Sequence, residues 1–119
     1  MLDMLMDRMF VHTKIFDKLW SELGCDDNDL MELQKAICDA PQRPPVISGT
    51  GGIRKIRVSL EGRGKSGGAR VIYGDFPEHG IVYLFASYPK SEKEDITDEE
   101  RKLFKITMNQ INSNWRDRK

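Results

Sequence analysis

The chain has 119 residues, and its 19 lysines and arginines are matched by 19 aspartates and glutamates, so the formal net charge is zero. That balance excludes a protein that coats nucleic acid over its whole surface; a polyanionic partner would have to meet a local patch. With two cysteines and 39% hydrophobic residues, the composition excludes a disulfide scaffold and describes a single domain with one modest core.

Residues 1–7 read as an N-terminal extension. They are apolar but broken by acids, and they lack a basic leader and a cleavage site, so no secretory signal is expected. No apolar run is long enough for a membrane span, and a cytoplasmic location is the expectation. Arg8–Thr13 reads as a first strand. Ile15, Phe16, Leu19, Trp20 and Leu23 then recur at helical spacing, and Gly24 stops that helix. The acidic run Asp26–Asp29 caps a second helix whose core face is Leu30, Leu33 and Ile37. Pro41, Pro44 and Pro45 end it and lead into an extended link. Cys25 and Cys38 fall in this helical hairpin without histidines at metal spacing and read as small buried thiols.

Beyond the link the period changes to two. Ile53–Glu61 reads as a strand with Ile56, Val58 and Leu60 on one face and Lys55, Arg57 and Ser59 on the other. A glycine-rich loop, Gly62–Gly68, joins it to a strand over Ala69–Asp75. A turn over 75–80 leads to a strand over Ile81–Tyr88, and short connections imply antiparallel pairing. Thr97-Asp98-Glu99-Glu100 is a capping box that opens a last helix with Leu103, Ile106 and Ile111 inward; 114–119 reads as a frayed polar tail. The expected architecture is one α+β domain. An antiparallel sheet carries an N-terminal helical hairpin and a C-terminal helix, with one sheet face covered by helices and the other left partly open.

Charge is concentrated in the middle of the chain. Between Gly49 and Asp75 stand six cations, Arg54, Lys55, Arg57, Arg63, Lys65 and Arg70, against two acids, Glu61 and Asp75. The acidic clusters, 26–32 and 92–100, are expected to lie elsewhere. Gly64-Lys65-Ser66 imitates the end of a nucleotide-binding loop. The position for its first glycine is Ser59, however, and a strand rather than a helix follows, so nucleotide hydrolysis is not expected. Arg63 and Lys65 read instead as a phosphate-contacting loop. Lys55 and Arg57, two apart, project from one face, and Arg70 joins them from the next strand. Three cations on one sheet repel one another unless an anion lies between them, which points to RNA or another polyanion. Tyr73 and Tyr88 are the aromatic groups available to stack on bases. His12 and His79 are isolated, and no Ser/His/Asp, Cys/His or metal-ligand constellation is present. Cations can still cleave RNA, because the ribose 2′-hydroxyl is a built-in nucleophile that needs alignment, charge neutralisation and proton transfer.

The run Gly49-Thr50-Gly51-Gly52-Ile53-Arg54-Lys55-Ile56-Arg57, the segment Gly62-Arg63-Gly64-Lys65-Ser66-Gly67-Gly68-Ala69-Arg70-Val71-Ile72-Tyr73 and the stretch Tyr88-Pro89-Lys90-Ser91-Glu92-Lys93 resemble the HigB-type branch of the RelE/ParE toxin superfamily. These are toxins of type II toxin–antitoxin modules. The resemblance runs from about Arg8 to Leu103. It implies the small RelE-like α+β fold and a ribosome-dependent messenger-RNA endonuclease that enters the ribosomal A site and stops translation without a cofactor or metal. On this resemblance Lys55, Arg57 and Arg70 are the catalytic residues. Arg54, Arg63, Lys65, Lys90 and Lys93 hold RNA backbone, and Tyr73 and Tyr88 stand in for a base-stacking tyrosine. The tyrosine that RelE carries shortly after the last-strand basic position is replaced here by Glu94-Asp95-Ile96. The implied partner is a helix-turn-helix antitoxin, through which DNA would be bound indirectly to repress the operon; no membrane partner is implied. The superfamily also contains ParE-type members that block gyrase, and a form that binds antitoxin without cleaving is a further alternative. Retention of Lys55, Arg57 and Arg70 favours the nuclease.

Overall fold

The structure is a computed structural model, and it describes residues 8–59, 68–90 and 95–117. Along the chain run β1 (Met9–His12), α1 (Lys14–Glu22), α2 (Asp27–Asp39), β2 (Ile53–Val58), β3 (Ala69–Phe76), β4 (Ile81–Pro89) and α3 (Asp98–Asp117). The strands form one sheet in the order β1-β4-β3-β2. The β2–β3 and β3–β4 pairs are antiparallel, as the short connections require, whereas β1 lies parallel to β4. The sheet is therefore mixed rather than wholly antiparallel. The α1–α2 hairpin between β1 and the rest of the sheet supplies a connection long enough to bring a parallel strand back.

Local chemistry sets the helix starts. Thr13 caps α1 by accepting from the Phe16 amide, and Asp26 and Asp29 form a reciprocal capping box at α2. At α3 the expected box is present: the Thr97 amide donates to Glu100 Oε1 at 2.8 Å, and the Glu100 amide to Thr97 Oγ1 at 3.1 Å. The strand entrance at β2 is built by glycines and one threonine. Gly51 and Gly52 have φ of +76° and +122°, a region open to glycine at little cost. Thr50 is fully buried; its hydroxyl donates to the Ile47 carbonyl at 2.6 Å and accepts from the Ile53 amide at 3.0 Å.

Helices cover both faces of the sheet. On one face, Phe16 and Trp20 of α1, its C-cap Leu23, and Leu33 and Ile37 of α2 pack on Val71, Tyr73, Val82 and Leu84, with Ile56 and Val58 at the margin. On the other, Met108 of α3, with Phe104 and Ile111, packs on Ile53, Ile72, Phe76 and Phe85. The second face, expected to be partly open, has α3 lying across it, with Arg57 still exposed at its edge. The stripe α3 turns inward is Phe104, Met108 and Ile111; Leu103 and Ile106, expected inside, are 64% and 54% exposed. Ile15 is likewise exposed, while Phe16, Trp20 and Leu23 carry the α1 contact. Cys25 and Cys38 are free and half-buried. The helix continues through 114–117, where a frayed tail was expected. Trp115 stacks on His79 and donates its indole N–H to the Tyr83 hydroxyl at 3.1 Å.

Candidate nucleic-acid interface

The alternation of β2 divides its cations. Arg54, Ile56 and Val58 face the α1–α2 hairpin side, and Ile53, Lys55 and Arg57 share the α3 side. Strand pairing then fixes the neighbours. Arg57 stands directly opposite Arg70 on β3, and Arg70 directly opposite Tyr88 on β4. Two rungs along, Lys55 is opposite Ile72 and Ile72 opposite Ala86. The three residues singled out as a chemical centre, Lys55, Arg57 and Arg70, are therefore brought onto one face within two rungs, about 7 Å along the strands.

Their environments differ. Arg57 is exposed at the free edge of the sheet. Arg70 is only 2% exposed, and its Nη1 makes a long 3.4 Å hydrogen bond to the Ala69 carbonyl. Lys55 is half-buried, and its Nζ donates to Asp95 Oδ1 at 3.2 Å. Tyr88 is buried to 6% beside Arg70, packed with Ile96 and Ile72. A buried guanidinium next to an exposed one makes a graded site. The inner cation is fixed by packing, and the outer one is free to close on a ligand.

Several expectations are corrected here. Tyr73 is fully buried on the opposite face, and its hydroxyl donates to the Pro41 carbonyl at 2.8 Å, so it cannot stack on a base. Burial, and behind it the nearby Asp75 carboxylate, raise its phenol to about 12, while Arg54 pulls the other way. Tyr73 is three residues from Arg70, an odd spacing that puts the two on opposite faces. Arg54 also leaves the proposed RNA-binding set. Its Nη1 donates to the Gln42 carbonyl at 2.9 Å and to that of Pro44, tying down the proline-rich link. Lys90 is exposed just after β4, its amide bonded to the Gly68 carbonyl, at the same end of the sheet as Arg70. Arg63, Lys65 and Lys93 lie outside the described residues.

The acids do not stay away from the patch. Asp95 reaches Lys55, and Asp29 and Glu32 of α2 line, with Arg57 and Ser59, a cleft of about 270 Å³ at the β2 edge. Asp95 thus stands beside the basic face, whereas Asp29 and Glu32 lie at the sheet edge on the α1–α2 side; none of the three was expected near these strands from the sequence.

His12 and His79 are far apart in role. His12 bonds Asp17 and Gln34 and packs edge-on to Phe16, while His79 sits in the β3–β4 turn against Trp115. Among the described residues, no helix is long and apolar enough to cross a membrane.

This arrangement can be set against known proteins. The fold resembles that of E. coli toxin RelE, solved in the free state as a double arginine-to-alanine mutant. The TM-score is 0.52 and the identity 16%, over 72% of this chain and 86% of that one. Residues 8–117 match the family described as the RelE toxin of the RelE / RelB toxin–antitoxin system, a span that takes in every strand and helix described above. The chain belongs to the RelE toxin family, and is a toxin of a toxin–antitoxin system.

Proposed function

We propose that the chain is a HigB-type, ribosome-dependent endoribonuclease that cleaves messenger RNA in the A site. The single observation that carries this reading is the Arg57–Arg70 rung with Lys55 beside it. The reaction is a transesterification. The ribose 2′-oxygen attacks the adjacent phosphorus, the bond from phosphorus to the 5′-oxygen breaks, and a 2′,3′-cyclic phosphate and a 5′-hydroxyl result. The 2′-hydroxyl loses a proton and the departing 5′-oxygen gains one. Negative charge builds on the phosphorane, and two guanidiniums are suited to it, since each offers forked, charge-assisted donors. Arg70 supplies a fixed donor and Arg57 a mobile one. Lys55 is the proton-handling group. To take the 2′-proton it must first give up one of its own, because an ammonium holds no lone pair, and it must turn from Asp95 to the substrate. The arginines do the charge work, so the reading calls for no metal. Tyr88 lies beside Arg70 but is only 6% exposed, so stacking on a base would require it to leave its packing against Ile72 and Ile96; Lys90 with Arg63, Lys65 and Lys93 would hold RNA backbone. The partner would be a helix-turn-helix antitoxin, with the complex binding operator DNA.

Mapping RNA 5′ ends in cells before and after induction tests the reading. Cuts positioned by the reading frame, absent when translation is blocked, are expected. Growth arrest with intact transcripts and damaged DNA would instead indicate a gyrase-directed, ParE-like toxin.

A further inference from the structure

At the opposite end of the sheet from Arg57 and Arg70 lies a second, larger cavity of about 380 Å³. It opens between the β2 entrance, the β3–β4 turn and the C-terminal half of α3. Phe76, Glu78, His79, Asn109, Asn112 and Arg116 are among its lining. Phe76 is six residues along β3 from Arg70, about 20 Å in an extended strand, so the two sites cannot share one phosphate.

We propose that this cavity receives an unstacked purine base. Its size falls in the range of small-molecule sites. Of the four charged side chains in the lining, Arg54 is engaged with the Gln42 and Pro44 carbonyls, Asp75 with Arg8 at 2.7 Å and Arg116 with the Ser113 hydroxyl at 3.2 Å, while Glu78 is exposed. The uncharged polar groups left to meet a ligand are the carboxamides of Asn109 and Asn112, for which no hydrogen bond is found among the described residues, and the His79 ring with its Nε2. That nitrogen is buried without a hydrogen-bond partner among them. Asn109 and Asn112 are three apart on α3 and so point from one side of the helix. A carboxamide presents a donor beside an acceptor, which matches the amine and ring nitrogen of adenine. His79, backed by Trp115 with ring centres 6.4 Å apart and planes at 29°, gives a flat wall for stacking. A bare phosphate fits less well, because Glu78 and Asp75 share the lining with Arg116.

The base could come from RNA or from a free nucleotide; only the RNA source rests on the nuclease reading above. The test uses the full chain carrying Arg57→Ala, so that cleavage does not interfere. The His79 ring and Trp115 indole N–H resonances are followed by NMR during titration with AMP, with ribose 5-phosphate, and with a short adenine-containing RNA. Shifts with AMP or RNA, none with ribose 5-phosphate, and at least tenfold weaker binding in Asn112→Leu are expected. Competition between AMP and the RNA identifies the source. No shift with either base-bearing probe, an equal response to ribose 5-phosphate, or unaltered affinity in a folded Asn112→Leu chain would overturn the proposal. None of these readouts depends on whether the chain cleaves RNA.

Discussion

Arg57 and Arg70 face each other across the β2–β3 ladder, one exposed at the sheet edge and the other 2% exposed beside Tyr88. Two like charges directly opposite destabilise a sheet, and the arrangement makes sense when an anion comes between them. The two should therefore separate under mutation. Arg57→Ala, at an exposed edge, is expected to change stability by no more than about 0.5 kcal/mol while lowering cleavage roughly 10²–10³-fold. Arg70→Ala should abolish activity and also lower the thermal midpoint. Toxicity on induction, read beside melting curves, checks both; a folded Arg57→Ala that arrests growth like the parent removes Arg57 from the centre.

The Lys55–Asp95 pair joins residues forty positions apart, with Asp95 74% exposed on its side chain. An exposed pair of this kind contributes at most about 1 kcal/mol. Asp95→Asn should leave the fold intact and tighten RNA binding at low salt, because Lys55 no longer has a competing carboxylate. Lys55→Gln should reduce the slope of log affinity against log salt by about one. Both slopes come from a fluorescence titration with a short RNA, and a tighter-binding Lys55→Gln would contradict the assignment.

Tyr73 makes a pH prediction. Its phenol is raised from 10.0 to about 12 in the folded chain, chiefly by burial. The unfolded chain therefore loses this proton first. The stabilisation is fully present below pH 10 and disappears as pH climbs from about 10 to about 12, a loss on the order of 2–3 kcal/mol. Tyr73→Phe should flatten that part of the alkaline unfolding curve. At neutral pH it should cost about 1 kcal/mol through the lost bond to Pro41. Cleavage per folded molecule should not change, since Tyr73 is on the far face; a large loss would put it back in the site.

Thr50→Val keeps the shape but removes the bonds that the fully buried Thr50 hydroxyl makes to Ile47 and Ile53. A cost of about 1–3 kcal/mol is expected in urea unfolding, because a buried carbonyl and amide lose their partner. A neutral result would mean that the turn repacks without that hydroxyl.

What could be read from the sequence was what local chemistry decides. The Thr97–Glu100 box, the Asp26 cap and the shared face of Lys55 and Arg57 depend on residues two to three apart, and all are present. The phase of α3 was not legible. Two apolar stripes compete, Leu103–Ile106 and Phe104–Met108–Ile111, and only packing against Ile53 and Phe85 chooses the second. The shift in β3–β4 pairing at Ile72/Tyr73, which keeps Tyr83 and Phe85 as well as Ala86 and Tyr88 against the second core, left no mark in the alternation. The acids around the basic strand were hidden for a similar reason: Asp29 and Asp95 reach it only through the tertiary fold. Tyr73 was a failure of a different kind, because its parity against Arg70 was already in the sequence.

β2 is an edge strand held on one side only, apart from the single bridge between Val46 and Arg54. Were it to slip by one residue against β3, every side chain would change sides. Arg54 would enter the α3 face, Ile56 and Val58 would lose their apolar cover, and Lys55 and Arg57 would be driven toward the α1–α2 core. Alignment of this strand is therefore a functional quantity in its own right. An insertion or deletion in 49–52, or a broken Val46 bridge, would disarm the toxin with all its arginines still in place.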